Sequence, residues 1–148
     1  MPSLSLLTII YSFVVMTNAN PQLNVVFTDI EEEQGSIRFA VFNNAQDFKD
    51  GKEGMLELRF SIEEAKQNDF VYLLQDLPAG TYAIAAYHDL NDNGELDTGL
   101  FGIPNEPYGF SNDPKAKWRA PKYKEINFDL AADKPMELQV SLRRWRKR

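Results

Sequence analysis

The chain has 148 residues, of which 43% are hydrophobic, and this length suits one ordinary domain with its own core. It contains no cysteine, which excludes disulfides, thiolate metal sites and lipid attachment through an N-terminal cysteine. The net charge is −6, and five basic residues among the last six leave −11 on the rest of the chain. Such an acidic body argues against nucleic acid as a partner, because phosphate binding needs a basic face.

The first 19 residues form an uncharged segment with an apolar run from Leu4 to Met16. This run is shorter than the ~20 apolar residues that a membrane-spanning helix needs. It ends in small residues at Thr17 and Ala19, as at the cleavage site of a secretory signal peptide. We therefore expect residues 1–19 to be the signal peptide of a periplasmic or extracellular protein, although no basic residue precedes the apolar run. An uncleaved anchor or a buried strand is the alternative.

After the signal peptide, apolar and polar residues alternate in short segments, which is typical of β-strands. The predicted strands are 23–27, 36–43, 56–63, 70–75, 81–88, 123–130 and 136–142. Turns at 31–35 and 77–80 are expected to close hairpins, and a turn at 133–135 joins the last two strands. Residues 61–64 have the form of a helix capping box, but the helical period around them is too short to outweigh the alternation. About seven strands without a sizeable helix predict an all-β fold, a single antiparallel sandwich over residues 20–142.

More than thirty residues separate the strand ending at His88 from the next predicted strand. A connection of that length is usually functional, and its aromatic residues argue against disorder, so we expect one long ordered loop. Its first part has the spacing of a calcium-binding loop, with oxygen-bearing side chains at positions 1, 3, 5 and 9 and glycine at position 6. The expected ligands are Asp89, Asn91, Asn93, the carbonyl of Glu95, and Asp97.

The predicted calcium site lacks one usual ligand. Ca²⁺ takes six to eight oxygens at about 2.3–2.6 Å, but position 12, normally a bidentate glutamate, is Leu100. A further ligand has to come from water or from a distant carboxylate such as Glu106 or Asp113. We therefore expect the weak affinity of extracellular modules, with a Kd of ~10⁻⁴–10⁻³ M. The alternative is a metal-free turn, since Asn93-Gly94 favours a tight turn and Asp and Asn side chains stabilise turns.

The second half of the loop, residues 99–112, combines turn-forming residues with large apolar ones. Phe101, Tyr108, Phe110 and nearby Trp118 are a candidate platform for a sugar ring or a peptide. The alternative is that these aromatic side chains anchor the loop on the domain. The expected partner at the loop is accordingly an unidentified protein or glycan.

A longer pattern joins these features. It runs from Leu77-Pro78-Ala79-Gly80-Thr81-Tyr82 through His88-Asp89-Leu90-Asn91-Asp92-Asn93-Gly94 to Tyr108-Gly109-Phe110-Ser111-Asn112. The chain resembles the bacterial secreted family called domain of unknown function 2141 over nearly all of its length after the signal peptide. The resemblance implies an exported sandwich similar to transthyretin-like (prealbumin) and carboxypeptidase-regulatory-like modules, and it implies no known activity.

Catalysis has few candidate residues. One histidine and no cysteine leave a serine triad through His88 or a pair of carboxylates. A carbohydrate-active enzyme using two of Asp89, Asp97 and Glu106 is the runner-up function, because two carboxylates at a suitable separation are enough for glycoside hydrolysis. We expect His88 to orient the loop, and we assign no catalytic residue.

The basic tail, residues 143–148, follows the predicted domain and contains Trp145. Attraction to anionic lipid head groups is worth ~1 kcal/mol per basic residue, so a weak contact with an anionic surface is one expectation. A solvated terminus is the other. The sequence therefore predicts an exported binding or structural module, calcium-stabilised and not an enzyme.

Overall fold

Two β-sheets form the framework of the fold in the computed structural model, which describes residues 21–115 and 119–145. The strands are β1 (Leu23–Thr28), β2 (Ser36–Phe42), β3 (Leu56–Ser61), β4 (Val71–Leu74), β5 (Gly80–Asp89), β6 (Tyr108–Phe110), β7 (Asn127–Leu130) and β8 (Met136–Ser141). The helices are α1 (Ala45–Lys49), α2 (Ile62–Gln67), a 3₁₀ turn (Leu100–Gly102) and α3 (Tyr123–Ile126). None of these helices is long and apolar enough to cross a membrane. The predicted all-β class is confirmed, with eight strands in the described residues instead of seven, while the predicted signal peptide lies outside them.

The two sheets differ in size and in strand direction. The three-stranded sheet has the order β4-β1-β8, and the five-stranded sheet has the order β3-β2-β5-β6 with β7 beside the first half of β5. The prediction of purely antiparallel pairing is wrong for β1 and β8, which run parallel. Parallel neighbours need a long connection, and here they are the first and last strands of the fold.

The short turns that were expected to join paired strands instead carry the chain from one sheet to the other. β1 and β2, β4 and β5, and β7 and β8 each lie in different sheets. The hairpin predictions for the turns at 31–35 and 77–80 are therefore wrong. Alternation shows that a strand has one buried face, but it does not show which sheet the strand joins, because both sheets face the same core.

Two predicted strands are helical at one end, 56–63 in its last two residues and 123–130 in its first four. The capping box at residues 61–64 is real, since Ser61 Oγ accepts a hydrogen bond from Glu64 N and Glu64 Oε2 accepts one from Ser61 N. It starts α2, which buries Ile62 and Ala65 in the core. The predicted strand 123–130 begins with α3, and only its second half is β7.

Side chains from both sheets form one core that includes the tilted rings of Phe27, Phe39 and Phe60. A second, smaller cluster lies on the other side of the five-stranded sheet, where Phe42 and Ala83 of the sheet are buried together with Ile126 of α3, next to α1. We call this side the outer face. The cluster covers one end of it, and the Asp/Asn turn that follows β5 lies at the other end.

Candidate functional site

The predicted calcium loop begins at a buried carboxylate. Asp89, the last residue of β5, is fully buried. Its Oδ2 accepts hydrogen bonds from Arg38 Nε at 2.6 Å and from Gly94 N at 2.9 Å, and its Oδ1 accepts one from Asn93 N at 3.1 Å. A buried carboxylate needs such donors and a countercharge to offset its desolvation. Asp89 therefore fastens the turn at residues 89–97 to strand β2.

The other predicted ligands gather in the same turn. Asn91 Nδ2 donates to Asp97 Oδ2 at 2.8 Å, and Asn93 Nδ2 donates to Asp97 Oδ1 at 3.0 Å. Glu95 is exposed, and its N–H donates to Asn93 Oδ1 at 2.9 Å. The structure thus brings the five predicted residues into one turn that hydrogen bonds within itself.

The side chains of the turn are only partly arranged as calcium ligands. Asp89 already has Arg38 as its countercharge, and both oxygens of Asp97 accept amide hydrogens. Among residues 21–115 and 119–145, no three His, Asp or Glu side chains converge as metal ligands. Calcium would need the amides of Asn91 and Asn93 to turn their oxygens toward it, because Ca²⁺ accepts only oxygen ligands here. The calcium site therefore stays a prediction.

Glu106, considered above as a distant ligand or an acid, closes the turn. It is buried, and its Oε1 accepts from Leu90 N at 2.7 Å while its Oε2 accepts from Asp97 N at 3.0 Å. One carboxylate thus holds both ends of the turn. The other suggested ligand, Asp113, lies elsewhere, 3.2 Å from Arg143 Nη1.

Beyond the turn, the chain forms a small projecting loop, residues 98–104, which we call the finger. Its base is closed by Gly99 N donating to Ile103 O at 2.7 Å and by a bridge between Thr98 and Pro104. At its tip Leu100 is 83% exposed and Phe101 is 97% exposed. Phe101 also has a left-handed backbone, with φ of 64°, which bulky residues rarely adopt. The finger therefore holds two apolar side chains in solvent on a strained turn.

A groove of about 490 Å³ crosses the outer face between the Asp/Asn turn and the cluster at α1 and α3. It is built on two rows of directly opposed residues from four neighbouring strands, and we call it the trough. The rows are Arg59, Arg38, Tyr87 and Tyr108, and Glu57, Ala40, Ala85 and Phe110. A second groove, of about 320 Å³, adjoins it beside the finger and shares Leu96, Tyr108 and Phe110 with it.

The trough is not predicted by the sequence, although two of its aromatic residues, Tyr108 and Phe110, belong to the predicted platform. The only local signal is that Ala40 and Ala85 occupy outward positions on strands whose other outward residues are mostly larger. Their alignment side by side depends on the pairing of β2 with β5, which alternation alone does not reveal. Tyr87 closes one side, where its hydroxyl donates to Gly94 O at 2.9 Å and burial raises its pKa to about 12.

His88 points away from the turn and into the core. It is fully buried, and its Nε2 lies 2.7 Å from Gln34 O. Among the described residues Nδ1 has no hydrogen-bond partner. Within the described chain, the imidazole therefore contacts a backbone carbonyl and no serine hydroxyl. The serine triad considered above is not assembled there.

The first part of the basic tail is attached to the fold. Arg143 Nε lies 3.0 Å from Asp29 Oδ2, and Arg143 exchanges two backbone hydrogen bonds with Tyr108. Arg144 forms an ion pair with Glu32, and Trp145 lines the groove beside the finger. Residues 146–148 lie outside the described chain, as does Trp118, the fourth member of the predicted aromatic platform.

Asp92, in the middle of the turn, makes the stability of the site depend on pH. The hydroxyl of Ser36, at 2.5 Å, and then Arg59 hold the pKa of Asp92 below its usual 3.8. Because the folded pKa is the lower one, these contacts stabilise the fold above about pH 4 and are lost as pH falls through the folded pKa. We expect an NMR titration of Asp92 to have its midpoint below 3.8, and Ser36→Ala to raise it. A midpoint that Ser36→Ala leaves unchanged would contradict this assignment.

Fold and site together define a class of protein, an all-β module in which two sheets share a core and a long ordered loop borders a groove on the outer face. The chain belongs to the family described as an uncharacterized protein conserved in bacteria, domain of unknown function 2141, whose profile matches residues 25–139. The resemblance inferred from the residue pattern is thus confirmed. Neither the curated proteins nor the solved structures include a significant match to the chain.

Proposed function

We propose that this chain is an exported β-sandwich of the transthyretin-like type that binds a ligand beside its long loop without transforming it. In this proposal, residues 1–19 are removed as a signal peptide. The finger carries the proposal, because the largely exposed apolar side chains of Leu100 and Phe101 at its tip weaken solubility and add nothing to the core. Strained, exposed residues of this kind are typical of sites that contact a partner.

The state of the loop carboxylates supports binding over glycoside hydrolysis. Asp89 and Glu106 are both buried, and each is held by two backbone N–H groups. A glycosidase pair must reach both faces of a scissile bond, one carboxyl as acid and the other as base or nucleophile. Only Asp97 of the three candidates is partly exposed, so these three carboxylates give little support to the enzyme alternative.

Calcium is the second part of the proposal. The turn gathers Asp89, Asn91, Asn93 and Asp97, and we propose that calcium enters by turning the two amide oxygens inward. With a Kd of ~10⁻⁴–10⁻³ M, about 10 mM calcium should stabilise residues 20–148 by about 1–3 kcal/mol and raise the Tm by roughly 4–10 °C. The measurement is thermal unfolding in excess chelator and then in calcium or magnesium.

A matched pair of variants makes the calcium experiment specific. Asp97→Asn replaces a charged carboxylate ligand at the partly exposed end of the turn by a neutral amide, which is a weaker calcium ligand, so it should weaken the rise in Tm. Asp133→Asn changes the same charge in the exposed turn between β7 and β8, so it should leave the rise intact. If calcium does not change the Tm of the parent protein, the loop is a metal-free turn. A rise that magnesium reproduces would show a general effect of divalent ions.

A further inference from the structure

The trough has the shape of a ligand site. Its floor is Ala40 and Ala85, which lie side by side on β2 and β5, so nothing large rises from the centre. One side is aromatic, formed by Tyr108 and Phe110, whose rings lie 5.9 Å apart at 81°. The opposite rim, on β3, carries Glu57 and Arg59. Its volume of about 490 Å³ falls within the range of small-molecule pockets.

The two positive charges that line the trough are each paired with a carboxylate. Arg38 is paired with Asp89 at 2.6 Å, and Arg59 is paired with Asp92 at 2.9 Å. Glu57 adds one exposed negative charge. A strongly anionic ligand would therefore find no excess of positive charge, and the acidic body of the protein would repel it. The two arginines that line the trough in turn disfavour a cationic ligand, so the trough suits a neutral one.

Unused hydrogen-bonding groups remain despite this pairing. Arg38 binds Asp89 through Nε alone, and with the described residues its Nη1 and Nη2 form no hydrogen bond. Gly94, at φ of 87°, lies above them, and a Cβ there would be 3.7 Å from Nη2. The Arg38 side chain keeps 28% of its surface exposed beside Gly94, which has no side chain to cover it. Arg38 thus offers directional hydrogen-bond donors, while Glu57 offers acceptors on the neighbouring strand β3.

We propose that the trough binds a neutral sugar ring of a short oligosaccharide, which rests on the proposal above that the chain is a binding module. Sugar hydroxyls accept from the Arg38 guanidinium and donate to Glu57, and the C–H face of the ring lies against the Tyr108 and Phe110 side. A sugar ring suits this surface because it combines hydroxyls that both donate and accept with an apolar face, which the electron-rich face of an aromatic ring attracts.

The test is a titration of ¹⁵N-labelled residues 20–148, which include every described residue, with maltotriose, cellotriose, xylotriose and trigalacturonate. We expect saturable shifts of the Arg38, Ala40, Ala85 and Tyr87 amides with at least one neutral trisaccharide. Trigalacturonate should bind more weakly than that trisaccharide. Ala85→Leu fills the floor of the trough and should weaken binding by about tenfold or more.

Two further variants separate blocked binding from a disturbed fold. Ala132→Leu makes the same change in the exposed turn between β7 and β8 and should leave binding intact. Glu57→Ala removes an exposed acceptor on the rim without touching the core, and it should also weaken binding. Equal affinity in the parent and in both trough variants would overturn the assignment of the site.

The remaining outcomes separate this inference from the proposed function. Tighter binding of trigalacturonate than of any neutral sugar would overturn the neutral ligand. Shifts confined to the finger, residues 98–104, would overturn the trough and leave the binding module standing. No shift with any of the four sugars would overturn this inference, while the calcium response of the turn would still be decided by its own experiment.

Discussion

Replacing Asp89 by alanine is expected to lower the free energy of unfolding by about 2–4 kcal/mol, because it breaks a partly buried ion pair and leaves two backbone N–H groups without their acceptor. The substitution leaves Arg38 without its countercharge and removes the acceptor of the Asn93 and Gly94 N–H groups. Urea unfolding of residues 20–148 measures the loss. We also expect Asp89→Ala to abolish any response to calcium.

A double-mutant cycle identifies the source of this loss. If much of it comes from the uncompensated charge, Arg38→Met in the Asp89→Ala background should restore stability relative to Asp89→Ala alone. Methionine keeps the apolar stem of the arginine over the sheet and removes the charge. Strictly additive effects of the two substitutions would contradict the ion pair as the main contribution.

The second large effect is expected at Gly35, where β2 is about to begin. A Cβ on Gly35 would lie 2.1 Å from Asp89 O and 2.9 Å from Leu90 Cα, and both are backbone atoms that the site holds in place. The backbone there is also left-handed, with φ of 81°. Strain and overpacking together should make Gly35→Ala destabilising by about 3 kcal/mol in urea unfolding.

Gly51 provides the matched control for this prediction. It too has a left-handed backbone, with φ of 61°, but nothing lies within 4 Å of the position of its Cβ. Gly51→Ala should therefore show the conformational penalty alone, about 1 kcal/mol. Equal losses of stability at the two positions would show that the close approach of residues 35 and 89 adds nothing to the cost of the substitution.

Local patterns predicted the parts of this molecule that depend on neighbours in the chain. Alternation identified most strands, and the spacing from Asp89 to Asp97 identified a turn whose members do come together. The capping box at residues 61–64 is also a local signal, and it marks the start of α2 where alternation predicts more strand. An N-terminal cap needs only one turn of helix to follow, so a short helical period is compatible with it.

Long-range pairing accounts for the features that sequence reasoning missed. The countercharge of Asp89 is Arg38, 51 residues away, and that of Asp92 is Arg59, 33 residues away. Neither arginine stands out in the sequence, because each occupies an ordinary outward position on a strand. The trough was missed for the same reason, since Ala40 and Ala85 become a floor only when β2 pairs with β5.

The parallel pairing of β1 with β8 bears on how the chain acquires its structure during synthesis. Leu23 pairs with Met136, so β1, the central strand of the smaller sheet, pairs with a strand that lies more than a hundred residues later in the chain. Contacts of such high sequence separation form slowly, because the loop entropy must be overcome before they contribute. A nascent chain therefore cannot complete this sheet until β8 has emerged, and until then β1 has only β4 as a partner.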